Sequence, residues 1–125
     1  MNHILLDTNI LMAVVQFKID IFSELSRICD FSYDISILNR TIGELKIIKS
    51  QQKGKNRLAA SIAIHIVEKQ GIHIIKTMSE EPVDDLIASF SKQGYIIATQ
   101  DMGLKKKLMK PYITMRKKEY LMIVN

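Results

Sequence analysis

Ile4, Leu5 and Leu6 form an unbroken apolar run, and Asp7, Thr8 and Asn9 follow it at once. A run without polar alternation suits a central parallel strand covered on both faces. Ligands of open α/β sheets bind at the carboxyl ends of such strands. The stretch Met1 to Asn9 therefore reads as a buried strand ending in a carboxylate. The plain alternative is a helix cap, since Asp, Thr and Asn all accept hydrogen bonds from free helix N–H groups. Asn9 or Thr8 could fill that role without Asp7.

Beyond Asn9, apolar residues recur at mixed three and four spacings over Ile10 to Gln16 and again over Ile19 to Cys29, which predicts two consecutive helices. Asp34 to Leu38 reads as a second strand. Asn39 or Thr41 is placed to cap a helix over Ile42 to Ser50, with Glu44 in its first turn. The polar segment Gln51 to Asn56 predicts a loop, and Arg57 to Lys69 a helix stopped by Gly71. Ile72 to Ile75 follows as a third strand with His73 inside it. Pro82 suits a helix start, and that helix runs to Gln93. Tyr95 to Ala98 is the other clean buried strand, again followed by polar residues, Thr99, Gln100 and Asp101. Leu104 to Met109 reads as a short basic helix broken by Pro111, with terminal strands over Tyr112 to Met115 and Tyr120 to Val124. The order β, α, α, β, α, α, β, α, β, α, β, β predicts an α/β fold with a central, mainly parallel sheet and helices on both faces.

A chain of 125 residues, 47% hydrophobic, fits one domain over 1–125 with a real core. No charged leader precedes an apolar segment and no apolar run is long enough to span a bilayer, so the expected location is cytoplasmic, away from membranes. Cys29 is the one cysteine, which excludes an internal disulfide and a cysteine zinc cluster; it reads as a small buried apolar residue on a helix. The net charge of +5 is unevenly spread. Seven of the 18 basic residues lie between Lys105 and Lys118, and Lys46, Lys49, Lys53, Lys55 and Arg57 form a second group. Such clusters suit polyphosphate partners, although a solvated helix face accounts for them equally well.

The chemistry gathers in carboxylates. Asp7 and Asp101 each follow an apolar strand, and Glu44, Asp84 and Asp85 each fall near a predicted helix start. Strand ends and following helix starts share one edge of a parallel sheet, so these groups can converge. Each helix-start carboxylate alone is explained by the macrodipole. As a set they repel, by about 4 kcal/mol for a pair about 4 Å apart at an effective dielectric of 20. Hard divalent ions with oxygen ligands relieve that repulsion, and Mg²⁺ or Mn²⁺ suit a shell completed by water. An acidic centre with a basic periphery fits a phosphodiester substrate.

The stretches LLDTN, TIGEL, VDDLIASF and YIIATQD followed by LKKKL resemble, in order, the four acidic motifs of the PIN-domain ribonucleases. The resemblance covers nearly the whole chain and implies a three-layer α/β/α, Rossmann-like fold. It also implies metal-dependent hydrolysis of RNA, with Asp7, Glu44, Asp84 and Asp101 as the catalytic and metal-binding set and Mg²⁺ or Mn²⁺ as cofactor. Thr99 becomes the supporting hydroxyl beside the last acidic position, and Asn9 holds the turn after Asp7. Asp84 and Asp85 point about 100° apart on a helix. Asp84 shares its face with Ile87 and Ala88 and is preferred for the motif, while Asp85 is either an outer metal contact or solvent-facing. Lys46, Lys49, Lys53, Lys105, Lys106 and Lys107 are the candidate RNA contacts.

The phrases QFKIDIF, GKNRLAASIAI and YIIATQDMGLKKKL look closer to archaeal PIN proteins related to rRNA-processing nucleases than to toxins of VapC type. The partners implied are RNA, an rRNA precursor on this assignment, and a homodimer, with an antitoxin on the VapC-type alternative. A non-catalytic RNA-binding or assembly subunit is the competing reading, and an aspartate-phosphorylated receiver domain a third. His3, His65 and His73 read as structural, no serine sits in a nucleophile motif, and the glycines form no P-loop. Phe17, Phe22, Met12, Met78, Met102, Met109, Met115 and Met122 are expected to fill core or interface.

Overall fold

The computed structural model describes residues 1–125. Six strands form one sheet: β1 (Asn2–Leu6), β2 (Tyr33–Leu38), β3 (His73–Ile75), β4 (Ile96–Ala98), β5 (Tyr112–Arg116) and β6 (Tyr120–Val124). Their spatial order is β3-β2-β1-β4-β5-β6, with every neighbouring pair parallel except the antiparallel β5–β6 hairpin. The chain builds outward from β1 through β2 to β3, then returns to place β4 on the other side of β1. The boundary between β1 and β4 is thus the point where strand order reverses, and the crevice outside its carboxyl ends is where such sheets bind ligands.

The helices are α1 (Thr8–Gln16), α2 (Ile21–Ile28), α3 (Asn39–Gln51), α4 (Gly54–Lys69), α5 (Val83–Lys92) and α6 (Met102–Lys105), in the predicted order of elements. Side chains of β1 alternate between two cores, as a strand's two-residue period requires. Ile4 and Leu6 join Ile10, Val14, Leu25, Leu45, Ala60 and Ala63 on one face, whereas Leu5 joins Leu38, Leu86, Ile87, Ile97 and Leu104 on the other. The result is the three-layer α/β/α arrangement. No helix is long and apolar enough to cross a membrane.

Several local expectations change. Helix α3 starts directly at Asn39 and has no side-chain cap, so neither Asn39 nor Thr41 caps it. Asn39 is turned instead to Thr77, whose N–H and hydroxyl both donate to Asn39 Oδ1 at 3.1 and 2.9 Å. Glu44 consequently sits beyond the first turn. The expected loop over Gln51 to Asn56 shrinks to Gln52 and Lys53, because Gly54 adopts φ +64° and turns the chain at once into α4. Gly71, at φ +70°, does end that helix. The basic helix spans Met102–Lys105 rather than Leu104 to Met109, because Asp101 caps its start and the chain leaves the helix at Lys106. Cys29 is the half-buried C-cap residue of α2. His73 is exposed on its strand. Phe17, Met78, Met102 and Met109 are exposed and fill no core, whereas Met115 is buried.

Candidate functional site

Asp7 resolves both readings of the first strand at once. It follows β1 and is the N-cap of α1, its Oδ1 accepting from Thr8 N–H at 2.8 Å. Its other oxygen, Oδ2, accepts from the Thr99 hydroxyl at 2.8 Å. Thr8 and Asn9 therefore do not supply the cap. Asp7 is 7% exposed, and Thr99 is fully buried just past β4. Burial pushes the Asp7 carboxyl up to about 6; the bonds from Thr99 and Thr8 oppose that shift, and the charges of Glu44 and Asp84 add to it.

Around Asp7 the end of β4 is tied down by side chains. Asn9 Oδ1 accepts from Gln100 N–H at 3.2 Å, and the Thr99 hydroxyl oxygen accepts from Asp101 N–H at 3.0 Å. Asp101 Oδ1 in turn accepts from Gly103 and Leu104 N–H at 2.8 and 3.2 Å, which caps α6 and fixes the carboxylate. Gln100 Oε1 accepts from the Thr114 hydroxyl at 2.8 Å, anchoring the loop to β5.

A cavity of about 530 Å³ opens at this edge, and Asp7, Glu44, Asp84 and Asp101 all line it. They arrive from four places: the end of β1, the second turn of α3, the first turn of α5 and the cap of α6. Asn9 lines it as well. Asp85 does not; it turns outward, and Lys107 Nζ donates to its Oδ1 at 2.9 Å. That ammonium is held above its usual pKa by Asp85 first, with smaller contributions from Asp84 and Asp101, so it stands at the acidic rim.

The other candidate lysines are distributed differently. Lys46 and Lys49 line a separate recess of about 350 Å³ with Arg57. They leave α3 on a different face from Glu44 and Ile48, which face the carboxylate cavity. Lys53 and Lys106 are exposed. Lys105 is half-buried, with its pKa lowered by burial and by the neighbouring Arg116.

The donors facing the cavity are oxygens, the ligand type that hard divalent cations take. Thr8 also lines the cavity, and its hydroxyl oxygen is buried without a hydrogen-bond partner. No three His, Cys, Asp or Glu side chains stand close enough to cage an ion by themselves. The set fits an ion of Mg²⁺ type, which keeps several waters and takes only one or two carboxylates together with substrate phosphate.

Sequence reasoning did not find the remaining lining residues, Thr8, Met12, Gln16, Ile48, Gln52, Asn56 and Val83. A signal for several was present. Thr8, Met12 and Gln16, and likewise Glu44, Ile48 and Gln52, recur at four-residue steps, the spacing of one helical face.

By sequence, no curated protein matches the chain. Among solved structures, that of the PIN domain endonuclease Utp24 is similar, with a TM-score of 0.76 at 22% identity, covering 97% of this chain and 90% of the other. A likeness at that identity establishes the fold. The sequence model of the PIN-like domain matches residues 4–118. The chain belongs to the PIN-like domain family.

Proposed function

We propose that this protein is a metal-dependent endoribonuclease whose active site is the carboxylate cavity. The observation that carries the reading is the convergence of Asp7, Glu44, Asp84 and Asp101, from four separate elements, on one cavity at the strand-order reversal. In this reading Mg²⁺ or Mn²⁺ is held by one or two of Asp7, Glu44, Asp84 and Asp101 directly and by the others through its waters. The ion, when bound, supplies an activated water and stabilises charge developing on the phosphodiester. The chain's own contribution is placement. Thr99 and the Thr8 N–H fix both oxygens of Asp7, and Gly103 and Leu104 fix one oxygen of Asp101. Asp85 holds Lys107 at the rim, where its ammonium can meet a substrate phosphate.

We infer an rRNA precursor as the natural substrate. The support is the resemblance of QFKIDIF and GKNRLAASIAI to PIN proteins of rRNA processing, together with the fold shared with an endonuclease. The test is a Mn²⁺ titration of the wild-type protein and Asp7→Asn against an end-labelled structured RNA, with melting curves of both. Metal-dependent cleavage by the wild type, absent from a folded Asp7→Asn protein, is expected. Equal cleavage by both overturns the assignment of the site. Binding without cleavage at any Mn²⁺ or Mg²⁺ concentration leaves a non-catalytic RNA-binding subunit as the better reading.

A further inference from the structure

The carboxylate cavity has a second, neutral wall. Gln16 Nε2 donates to Asn56 Oδ1 at 2.9 Å, and Asn56 Nδ2 donates to Gln52 Oε1 at 2.7 Å. These amides come from α1, the first turn of α4 and the C-cap of α3, and all three line the cavity that holds the carboxylates. Gln16 lies two four-residue steps beyond Thr8 on α1, and Gln52 two such steps beyond Glu44 on α3. Each amide is therefore displaced about 12 Å along its helix from the acidic end. Met12 and Ile48 occupy the intermediate steps and make an apolar stretch between the two ends.

An amide has one carbonyl acceptor and two N–H donors. Along Gln16, Asn56 and Gln52 the internal bonds run in one direction, which leaves the Gln16 carbonyl free at one end and both Gln52 N–H groups free at the other. Three exposed side chains are thereby held in one arrangement beside an acidic site. Amides can meet phosphate and sugar oxygens, but only through one donor at a time and without reading sequence. They match nucleobase edges: Asn and Gln pair with the N6 and N7 of adenine through one donor and one acceptor. Single-stranded RNA presents such edges freely, with the unstacked base resting on side chains.

We propose that the Gln16–Asn56–Gln52 amide chain reads a nucleobase next to the phosphodiester held at the carboxylates, favouring adenine. The proposal rests on the nuclease reading of the cavity and names what that site selects. Met12 and Ile48 form the apolar surface on which the base lies. The Gln16 amide, with its carbonyl and its second N–H both free, supplies the acceptor and the donor, and Asn56 and Gln52 hold it in place.

Two measurements test it. First, a single-stranded RNA library randomised over a short window is cut with Mn²⁺ and the new ends are sequenced. Second, binding of oligo(A), oligo(C) and oligo(U) is compared for Asp7→Asn alone and combined with Asn56→Ala or Gln16→Ala. The wild type should show at least fivefold enrichment of adenine at one fixed position from the cut. Asn56→Ala and Gln52→Ala should flatten it to within twofold, and the preference of Asp7→Asn for oligo(A) should vanish in the double variants. A merely structural amide chain would lower cleavage of all sequences alike and leave the ratio unchanged. Cleavage with no base preference, or with a preference that survives in the amide variants, overturns the proposal and leaves the nuclease reading standing. Discrimination in binding that is lost with the amides, from a protein that cuts nothing, supports the amide chain and removes the nuclease reading. Gln16→Ala breaks the chain from its other end and serves should Asn56→Ala not fold.

Discussion

The Thr99 hydroxyl donates to Asp7 Oδ2 at 2.8 Å, joining residues 92 positions apart at the ends of two neighbouring strands. The bond favours the charged form of a buried carboxylate and so opposes the rise that burial imposes. Thr99→Val keeps the shape and removes the donor. The Asp7 pKa should then climb above 6, and the onset of activity should move to higher pH. Loss of such an outer hydrogen bond typically costs 10–100-fold in metal affinity or rate, a scale of about 1.4–2.7 kcal/mol. A pH–rate profile of the variant with a Mn²⁺ titration checks both; an unshifted profile would remove Thr99 from this role.

The same raised pKa makes a prediction about stability without metal. Asp7 goes from 3.8 when unfolded to about 6 when folded, so the folded state binds its proton more tightly. The stabilisation from that proton is complete below pH 3.8 and is lost as pH rises through about 6. Asp7→Asn does not titrate and retains the cap acceptor. In chelator the variant should therefore be the more stable protein at pH 7.5, by up to about 3 kcal/mol. The advantage should shrink toward pH 4.5. Urea unfolding at the two pH values measures the difference, and Mg²⁺ should stabilise the wild type preferentially.

Lys107 sits beside Asp85 at the acidic rim, whereas Lys46 and Lys49 sit in the Arg57 recess on a different face of α3. Lys107→Ala should weaken RNA binding almost uniformly across sequences and reduce the salt slope by about one. It should also lower cleavage, because this ammonium is the one placed to meet phosphate at the carboxylates. Lys46→Ala should reduce affinity by the same kind of salt-dependent term and leave the cleavage rate of saturated enzyme nearly unchanged. Filter binding across a salt series, followed by single-turnover cleavage, separates the two.

What could be read in the sequence depended on how local its cause was. The runs Ile4 to Leu6 and Ile96 to Ala98, the stop at Gly71 and the start near Pro82 are set by neighbouring residues, and the observed elements follow them. The start of α3 was illegible because Asn39, a residue type that caps helices, is taken by Thr77, 38 positions away. The short α3–α4 turn depends on the positive φ of Gly54 inside a polar segment that looks like any loop. At the site, strand ends and apolar context grouped Asp7, Asp84 and Asp101 at one sheet edge, where they line a common cavity. The direction of Asp85 was decided by Lys107; four-residue spacing put Gln16 and Gln52 on the faces of Thr8 and Glu44, but their meeting with Asn56 depends on the packing of α1 against α3 and α4, which periodicity within one element does not reveal.

Strand β6 is the sheet's outer edge, and α2 covers part of it. Leu121 N–H donates to Glu24 Oε1 at 2.8 Å, and Arg27 Nη2 donates to Leu121 C=O at 2.9 Å while also pairing with Glu24. Both outward backbone groups of Leu121 are thereby satisfied, at the place where an open edge would invite another strand. The Arg27 guanidinium first, and then the Leu121 N–H, hold the Glu24 carboxyl below its usual range against partial burial. Because that pKa is depressed, the stabilisation is present above the unfolded value of 4.5 and fades as pH falls through the folded value. Glu24→Ala should cost about 1.5–3 kcal/mol at pH 7, the scale for losing a hydrogen bond to a charged group. The difference from wild type should narrow toward pH 3, as the wild-type carboxyl begins to take up its proton below 4.5. The freed Leu121 N–H should also promote self-association, read as a concentration-dependent shift in sedimentation. A variant that melts with the wild type at both pH values would show that the edge is held by the β5–β6 hairpin alone.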